Sequence, residues 1–219
     1  MRSFFDLDNP FIQFLNRLTD VVILNVICLI CCIPIVTIGT SITALHYVTM
    51  KMARNEEGYI VRDFFKSFRE NFRQSAIIWG IFLLVTIFFY IDIRIFNADA
   101  VSFPKAFKLI IYMLYFFVCL TAMYAFPLLG RFSNTVVNTI KNAFLMSIIH
   151  VFKSLLMAAI YILPVLILPL HGTLMGVYLL FGIAGPAYAN SFIWKGIFKR
   201  YEPEEESVEN NGEEEKPEE

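Results

Sequence analysis

The sequence predicts an all-α protein, a polytopic membrane helical bundle with about five transmembrane helices and short interfacial amphipathic helices. Of its 219 residues, 58% are hydrophobic and only 17% are charged. A typical soluble domain is about 45–50% apolar and about 25% charged. The charges are also segregated, because four long stretches carry none. Each is long enough for the roughly 20 apolar residues that a helix needs to cross a bilayer: residues 21–50, 74–91, 109–130 and 154–194.

The uncharged stretches place five spans along the chain, the last stretch being long enough for two. A turn at His171-Gly172 divides it, and Pro34 predicts a kink or a stop near the end of the first span. Asn25 lies inside that first span, where its amide is expected to seek a partner on another helix. The predicted spans are about residues 21–38, 76–91, 109–129, 154–170 and 173–194.

A short amphipathic helix is predicted before the first span, over residues 9–18. Asn9 can cap it, Pro10 suits the first helical position, and apolar residues share one face. We expect this helix to lie along the membrane surface. Asp6 and Asp8 interrupt the segment that precedes it, so we expect the first span to be retained as an anchor.

The polar segment 40–75 is predicted to be a loop with an amphipathic helix in its second half. At about 100° per residue, four phenylalanines fall near one arc and four basic residues on the neighbouring arc. A helix at the headgroup interface has this arrangement. Single-stranded nucleic acid is an alternative ligand for aromatic and basic residues, but the adjoining span favours lipid. The candidate membrane-interface or partner surface comprises Arg62, Phe64, Phe65, Lys66, Phe68, Arg69, Phe72 and Arg73.

The segment 202–219 is predicted to be a disordered acidic tail that follows a membrane domain over 1–201. It holds ten of the 19 acidic residues and one lysine, so the remainder of the chain carries a net charge of +8. Such a composition cannot bury enough apolar surface to fold, and the anionic cytoplasmic leaflet should repel it.

The distribution of basic residues predicts the orientation. With five spans, 13 lysines and arginines fall on the side of segment 40–75 and the C-terminus, against five on the other side. Under the positive-inside rule the C-terminus and segment 40–75 are cytoplasmic and the N-terminus is outside. The expected location is the bacterial plasma membrane.

No motif of a known catalytic, cofactor or metal site is evident, so an enzyme is disfavoured and no cofactor is expected. The cysteines all fall within predicted spans and fit buried thiols better than zinc ligands. The three histidines are dispersed. Asp92 and Arg94 fit the interfacial end of a span, with an intramembrane pair in a transport path as the alternative.

Three segments carry a resemblance to a known family: PIVTIGTSITALHYVTMKMARNEEGYIVRDFFKSFRENFRQS at 34–75, NAFLMSIIH at 142–150 and NSFIWK at the end of the last span. Through them the chain resembles the YesL-like family of uncharacterised bacterial integral membrane proteins. That family is expected to have Gly-Pro where this chain has Gly39-Thr40. The resemblance implies an association with carbohydrate uptake, beside sugar ABC-transporter parts, and it carries over no functional residue.

Two functional hypotheses follow. The first is a non-enzymatic accessory or regulatory component, with the bilayer and ABC-transporter permease or sensor subunits as partners and no nucleic acid. The second is a small oligomeric transporter or channel. A transporter would need its intramembrane polar residues to line one continuous cavity, whereas an accessory protein would use them to pair helices. Those residues are Asn25, Thr86, Thr121, Tyr124 and Asn190.

Overall fold

The fold is a bundle of eight α-helices, seen in a computed structural model that describes residues 10–56, 58–97, 104–167 and 175–201. A single 3-10 turn joins α1 to α2, and the described residues contain no β-strand. The all-α prediction is therefore confirmed. The helices are α1 Pro10–Cys31, α2 Ile38–Ala53, α3 Ile60–Asn97, α4 Lys105–Arg131, α5 Val136–Ile149, α6 Val151–Ile167, α7 Met175–Phe181 and α8 Ala184–Phe198.

Three to five membrane spans can be built from these helices. Three single helices, α1, α3 and α4, are long and apolar enough to cross a bilayer. Two further spans result if each of two bent pairs counts as one: α5 with α6, bent by 100°, and α7 with α8, bent by 47°. The chain is accordingly a multi-pass membrane protein. The central helix α2 is not among the candidate spans.

Helix α3 joins two elements that the sequence predicted as separate, the amphipathic helix near 61–74 and the second span. Its 38 residues measure about 57 Å at 1.5 Å per residue, nearly twice the roughly 30 Å of the hydrocarbon core. Only the part between Arg73 and Asp92 is free of charge. The N-terminal part of α3 therefore continues beyond the uncharged span, packed against α1 and α2.

Helix α1 likewise merges the predicted surface helix at 9–18 with the first span, and it ends at Cys31 and not at residue 38. Pro34 explains the early end, because the residue before a proline is disfavoured in helical geometry. The predicted fifth span is broken between Phe181 and Ala184. The turn at 171–172 and the tail at 202–219 lie outside the described residues.

The largest correction concerns the first half of segment 40–75, which is a buried helix and not a loop. Helix α2 contacts α1, α3, α4 and α8, and 12 of its 16 residues are buried. Its hydroxyl groups are satisfied locally: Ser41 donates to the carbonyl of Thr37 and Thr43 to that of Gly39. Hydroxyls that bond to the preceding turn can be buried at little cost, so a polar composition is compatible with the centre of the bundle.

Two glycines allow α3 and α4 to approach α2 closely. A Cβ at Gly39 would lie 2.5 Å from the Trp79 Cβ and 2.9 Å from the Ser75 carbonyl oxygen, and a Cβ at Gly130 would lie 3.1 Å from the Thr43 carbonyl oxygen. Beside Gly39, the Thr40 and Ser75 hydroxyls hydrogen bond at 2.8 Å. Thr40, which stands where the YesL-like family is expected to have proline, therefore links α2 to α3 by this hydrogen bond.

Long-range hydrogen bonds connect α1 and α8 to the carboxyl end of α2. Arg17 of α1 donates to the carbonyl of Met52 at 2.9 Å, and Lys195 of α8 reaches the carbonyl of Ala53 at 3.5 Å. The start of α1 and the end of α8 therefore lie at the same end of the bundle as the carboxyl end of α2. The five-span prediction placed the start of α1 on the side opposite to segment 40–75. The arrangement differs because α2 brings the chain back through the bundle.

Replacing Gly39 by alanine tests this packing. The added Cβ would collide with backbone and Cβ atoms of α3 that cannot rotate away, so we expect a loss of about 2 kcal/mol, or roughly 6 °C in the apparent unfolding midpoint. Thermal unfolding of the detergent-purified protein measures this. Gly80→Ala is the matched control, because no described atom lies within 4 Å of its new Cβ and alanine favours helix. Equal midpoints for the two variants would contradict the close packing.

Candidate functional site

The predicted basic and aromatic surface lies on the N-terminal part of α3. Its basic side chains, Arg62, Lys66, Arg69 and Arg73, are all exposed. Phe65 and Phe72 are also exposed, at 40% and 42%, and border the basic residues. We call these six residues the basic face. They form one continuous strip along the part of α3 that extends beyond the hydrocarbon.

The other two phenylalanines of the predicted surface face the bundle. Phe64 is completely buried in a cluster with residues of α1, α2 and α8, and Phe68 packs against the same cluster. Their rings stack with centroids 6.1 Å apart. The predicted aromatic arc is therefore divided: one edge anchors α3 to the core, and the other edge is available at the surface.

The turn between α2 and α3 is fixed by polar contacts. Asn55 has φ = 58°, in the left-handed region that asparagine tolerates, and its side chain accepts a 3.0 Å hydrogen bond from Arg17. Lys51 pairs with Asp63 at 2.8 Å. The hydrogen bond to Asp63 raises the pKa of Lys51, which keeps the lysine charged at this end of the bundle.

Cations from two other helices cap the carboxyl end of α2. Arg17 and Lys195 approach the carbonyl oxygens of Met52 and Ala53 in the last turn. The Met52 carbonyl also accepts from the backbone N–H of Asn55 in the following turn, at 3.2 Å, as is usual for carbonyls at a helix end. Positive charge at this position also interacts favourably with the helix dipole. Sequence reasoning missed these residues, although Asn55 and Gly58 are a turn signal between two helical patterns.

Asn25 bridges the break between α7 and α8. Its Nδ2 donates to the carbonyl of Leu179 at 2.8 Å, and its Oδ1 accepts from the backbone N–H groups of Ile183 and Ala184 at 3.0 and 2.8 Å. Pro186 has no N–H to continue the helix across the break. A broken helix at membrane depth requires other partners for its freed backbone groups. The prediction that the Asn25 amide hydrogen bonds to another helix is confirmed.

The remaining intramembrane polar residues also make contacts within or between helices. Thr121 donates to the carbonyl of Phe117 in its own helix, Tyr124 bonds to Ser154 of α6 at 2.8 Å, and Asn190 donates to the carbonyl of Met157 at 3.3 Å. None of the five predicted residues, Asn25, Thr86, Thr121, Tyr124 and Asn190, lines either of the two cavities described below.

One comparison with known proteins gives a match. A family model described as "Protein of unknown function, DUF624" matches residues 21–93, which cover half of α1, all of α2 and most of α3. The match spans a third of the chain, and its description carries no activity. No curated protein and no solved structure matches the chain.

Asn25→Leu tests the bridge. The substitution keeps the side-chain volume but leaves three buried backbone groups without a partner, so we expect a loss of about 2–4 kcal/mol in detergent. Thermal unfolding measures it, with the exposed Asn138→Leu as a control that should leave the midpoint nearly unchanged. If Asn25→Leu unfolds at the wild-type midpoint, the bridge does not hold the α7–α8 break.

Proposed function

We propose that this protein is a non-enzymatic accessory or regulatory component of the bacterial plasma membrane that presents the basic face of α3 to a partner protein. The exposure of the basic face on the N-terminal part of α3 carries this proposal. Phe64 and Phe68 anchor that part to the core, and the Lys51–Asp63 pair fixes its start. A surface held in this way is preorganised for binding, which lowers the entropic cost of association.

The internal polar groups support an accessory role over a transporter. A solute path needs polar groups that face a shared cavity near the middle of the membrane. Here Asn25 and Tyr124 are fully buried and bond to neighbouring helices. Their hydrogen bonds serve helix pairing.

The basic end of the bundle faces the cytoplasm in this proposal. It gathers the start of α1, the α2–α3 turn and the end of α8, with Arg17, Lys51 and Lys195 at their contacts. The opposite end, at the junction of α3 and α4, carries Arg94, Lys105 and Lys108. The excess of cations at one end favours its retention in the cytoplasm.

Carbohydrate uptake is the proposed setting, and it rests on the resemblance to the YesL-like family. The partner class is then a permease or sensor subunit of a sugar ABC transporter. The bilayer is the second partner, since the exposed Phe65 and Phe72 lie where α3 leaves the hydrocarbon and can enter the headgroup region.

Cysteine accessibility in intact cells tests the orientation. Cysteines introduced at Gln13, Asn55 and Asn210 should react with an impermeant thiol reagent only after the membrane is permeabilised. A cysteine at Lys105, at the opposite end, is the control and should react in intact cells. Reaction of Gln13→Cys from outside would contradict the common placement of α1 and the α2–α3 turn.

Affinity purification in mild detergent, followed by mass spectrometry, tests the partner. We expect sugar-transporter permease or sensor subunits to co-purify with the wild type and to be lost from the triple variant Arg62→Gln, Lys66→Gln, Arg69→Gln, because charge complementarity across an interface governs specificity and encounter.

The matched control neutralises three exposed cations outside the basic face: Lys141→Gln, Lys199→Gln and Arg200→Gln. This variant has the same net charge and should retain the partner. Equal recovery from both variants, or recovery of the chain alone from the wild type, would overturn the assignment of the basic face.

A further inference from the structure

A cavity of about 330 Å³ lies between α2, α4, α6 and the start of α8. This volume is at the lower end of the range for small-molecule sites. Phe126 and Ala187 line its buried side, and the half-buried Ile42 and Met123 place its other side at the surface of the bundle. Met123 belongs to the uncharged part of the α4 span, so the cavity opens toward the hydrocarbon.

Two polar side chains, His46 and Tyr161, line this otherwise apolar cavity. The Tyr161 hydroxyl lies 3.3 Å from His46 Nε2. His46 is 95% buried, and its Nδ1 has no hydrogen-bond partner among the described residues. A buried polar atom without a partner is costly. Nδ1 has less than 1 Å² of accessible surface, so a hydrogen-bonding group in the cavity would reach it through a turn of the imidazole ring toward the cavity.

The cavity fits an uncharged molecule. Its lining contains no lysine, arginine, aspartate or glutamate among the described residues. His46 is buried and no carboxylate of the described residues lines the cavity, so its imidazole is neutral there. An anionic or cationic group would therefore be buried there without an opposite charge, which is strongly unfavourable.

A hydroxyl group matches His46 in either tautomer. If Nε2 accepts from Tyr161, Nδ1 carries the proton and needs an acceptor; if Nε2 donates to Tyr161, Nδ1 needs a donor. An alcohol can do both. Its alkyl chain would contact the apolar lining and gain the free energy of burial.

We propose that this cavity binds a neutral amphiphile of the bilayer, with its hydroxyl group on His46 and its alkyl chain among Leu45, Phe126 and Ala187. The site is separate from the basic face of α3 and does not depend on the function proposed for that face. Because α2 carries His46, a movement of α2 would change how strongly the cavity binds a membrane alcohol.

Photolabelling of the full chain in lipid vesicles tests the site. The probe is octanol with a photoreactive diazirine on its chain, and the reference probe is the corresponding diazirine octane. A second cleft of about 430 Å³ between α6 and α7–α8, lined mainly by apolar residues such as Leu163, Val177 and Phe181, serves as an internal reference.

We expect octanol to label Ile42 and Met123 in about fivefold excess over octane, the equivalent of one net hydrogen bond, with no such excess in the reference cleft. His46→Leu should remove the excess, and His150→Leu should retain it. Ala122→Phe, which fills the cavity at a half-buried lining position, should abolish labelling there by both probes while leaving the reference cleft labelled.

The proposal is overturned if the two probes label the cavity equally, if the excess persists in His46→Leu, or if no cavity residue is labelled above background, as expected of a cavity that holds only water. Because Ala122→Phe leaves His46 intact, it tests the cavity even if His46→Leu does not fold.

Discussion

The close packing of α2 at the centre of the bundle is the constraint on which the rest of the structure depends. Four other helices meet at this one. Helices α3 and α4 approach it at Gly39 and Gly130, and α1 and α8 also contact it. Small residues allow such approaches in membrane bundles, where dispersion and hydrogen bonds largely replace the hydrophobic effect as the force between helices. The Thr40–Ser75 hydrogen bond then fixes the register of α2 against α3.

Burying a helix of only 16 residues creates two ends whose backbone groups need partners. At the carboxyl end, Arg17 and Lys195 supply them from α1 and α8. A comparable problem at the α7–α8 break is solved by Asn25. In both places a long-range side chain completes the end of a helix, so each short helix is stable only within the assembled bundle. Polar residues in this protein thus serve mainly to determine which helices meet.

The sequence predicted the fold class and most of the helical segments, because long uncharged stretches mark the segments that can lie in the hydrocarbon core of a bilayer. It failed at α2, where serine, threonine and histidine suggested a solvated loop. Helical hydroxyls bonding to their own preceding turn, as in Ser41 and Thr43, cannot be distinguished from loop hydroxyls by composition. For the predicted surface, charge alone was enough to predict that the basic residues are exposed. The division between the buried Phe64 and the exposed Phe65 depends on which neighbour α3 packs against, and no local pattern contains that information.

Hydrogen exchange of the detergent-purified full chain, resolved to peptides over residues 40–53, measures the burial of α2 most directly. If α2 is a packed central helix, its amides should exchange as slowly as those of the buried segment Leu120–Leu129. They should exchange far more slowly than those of residues 54–56, because exchange would require opening of the bundle. Exchange of residues 40–53 as fast as that of residues 54–56 would contradict the account, since a solvated loop at this position could not hold α3, α4 and α8 together.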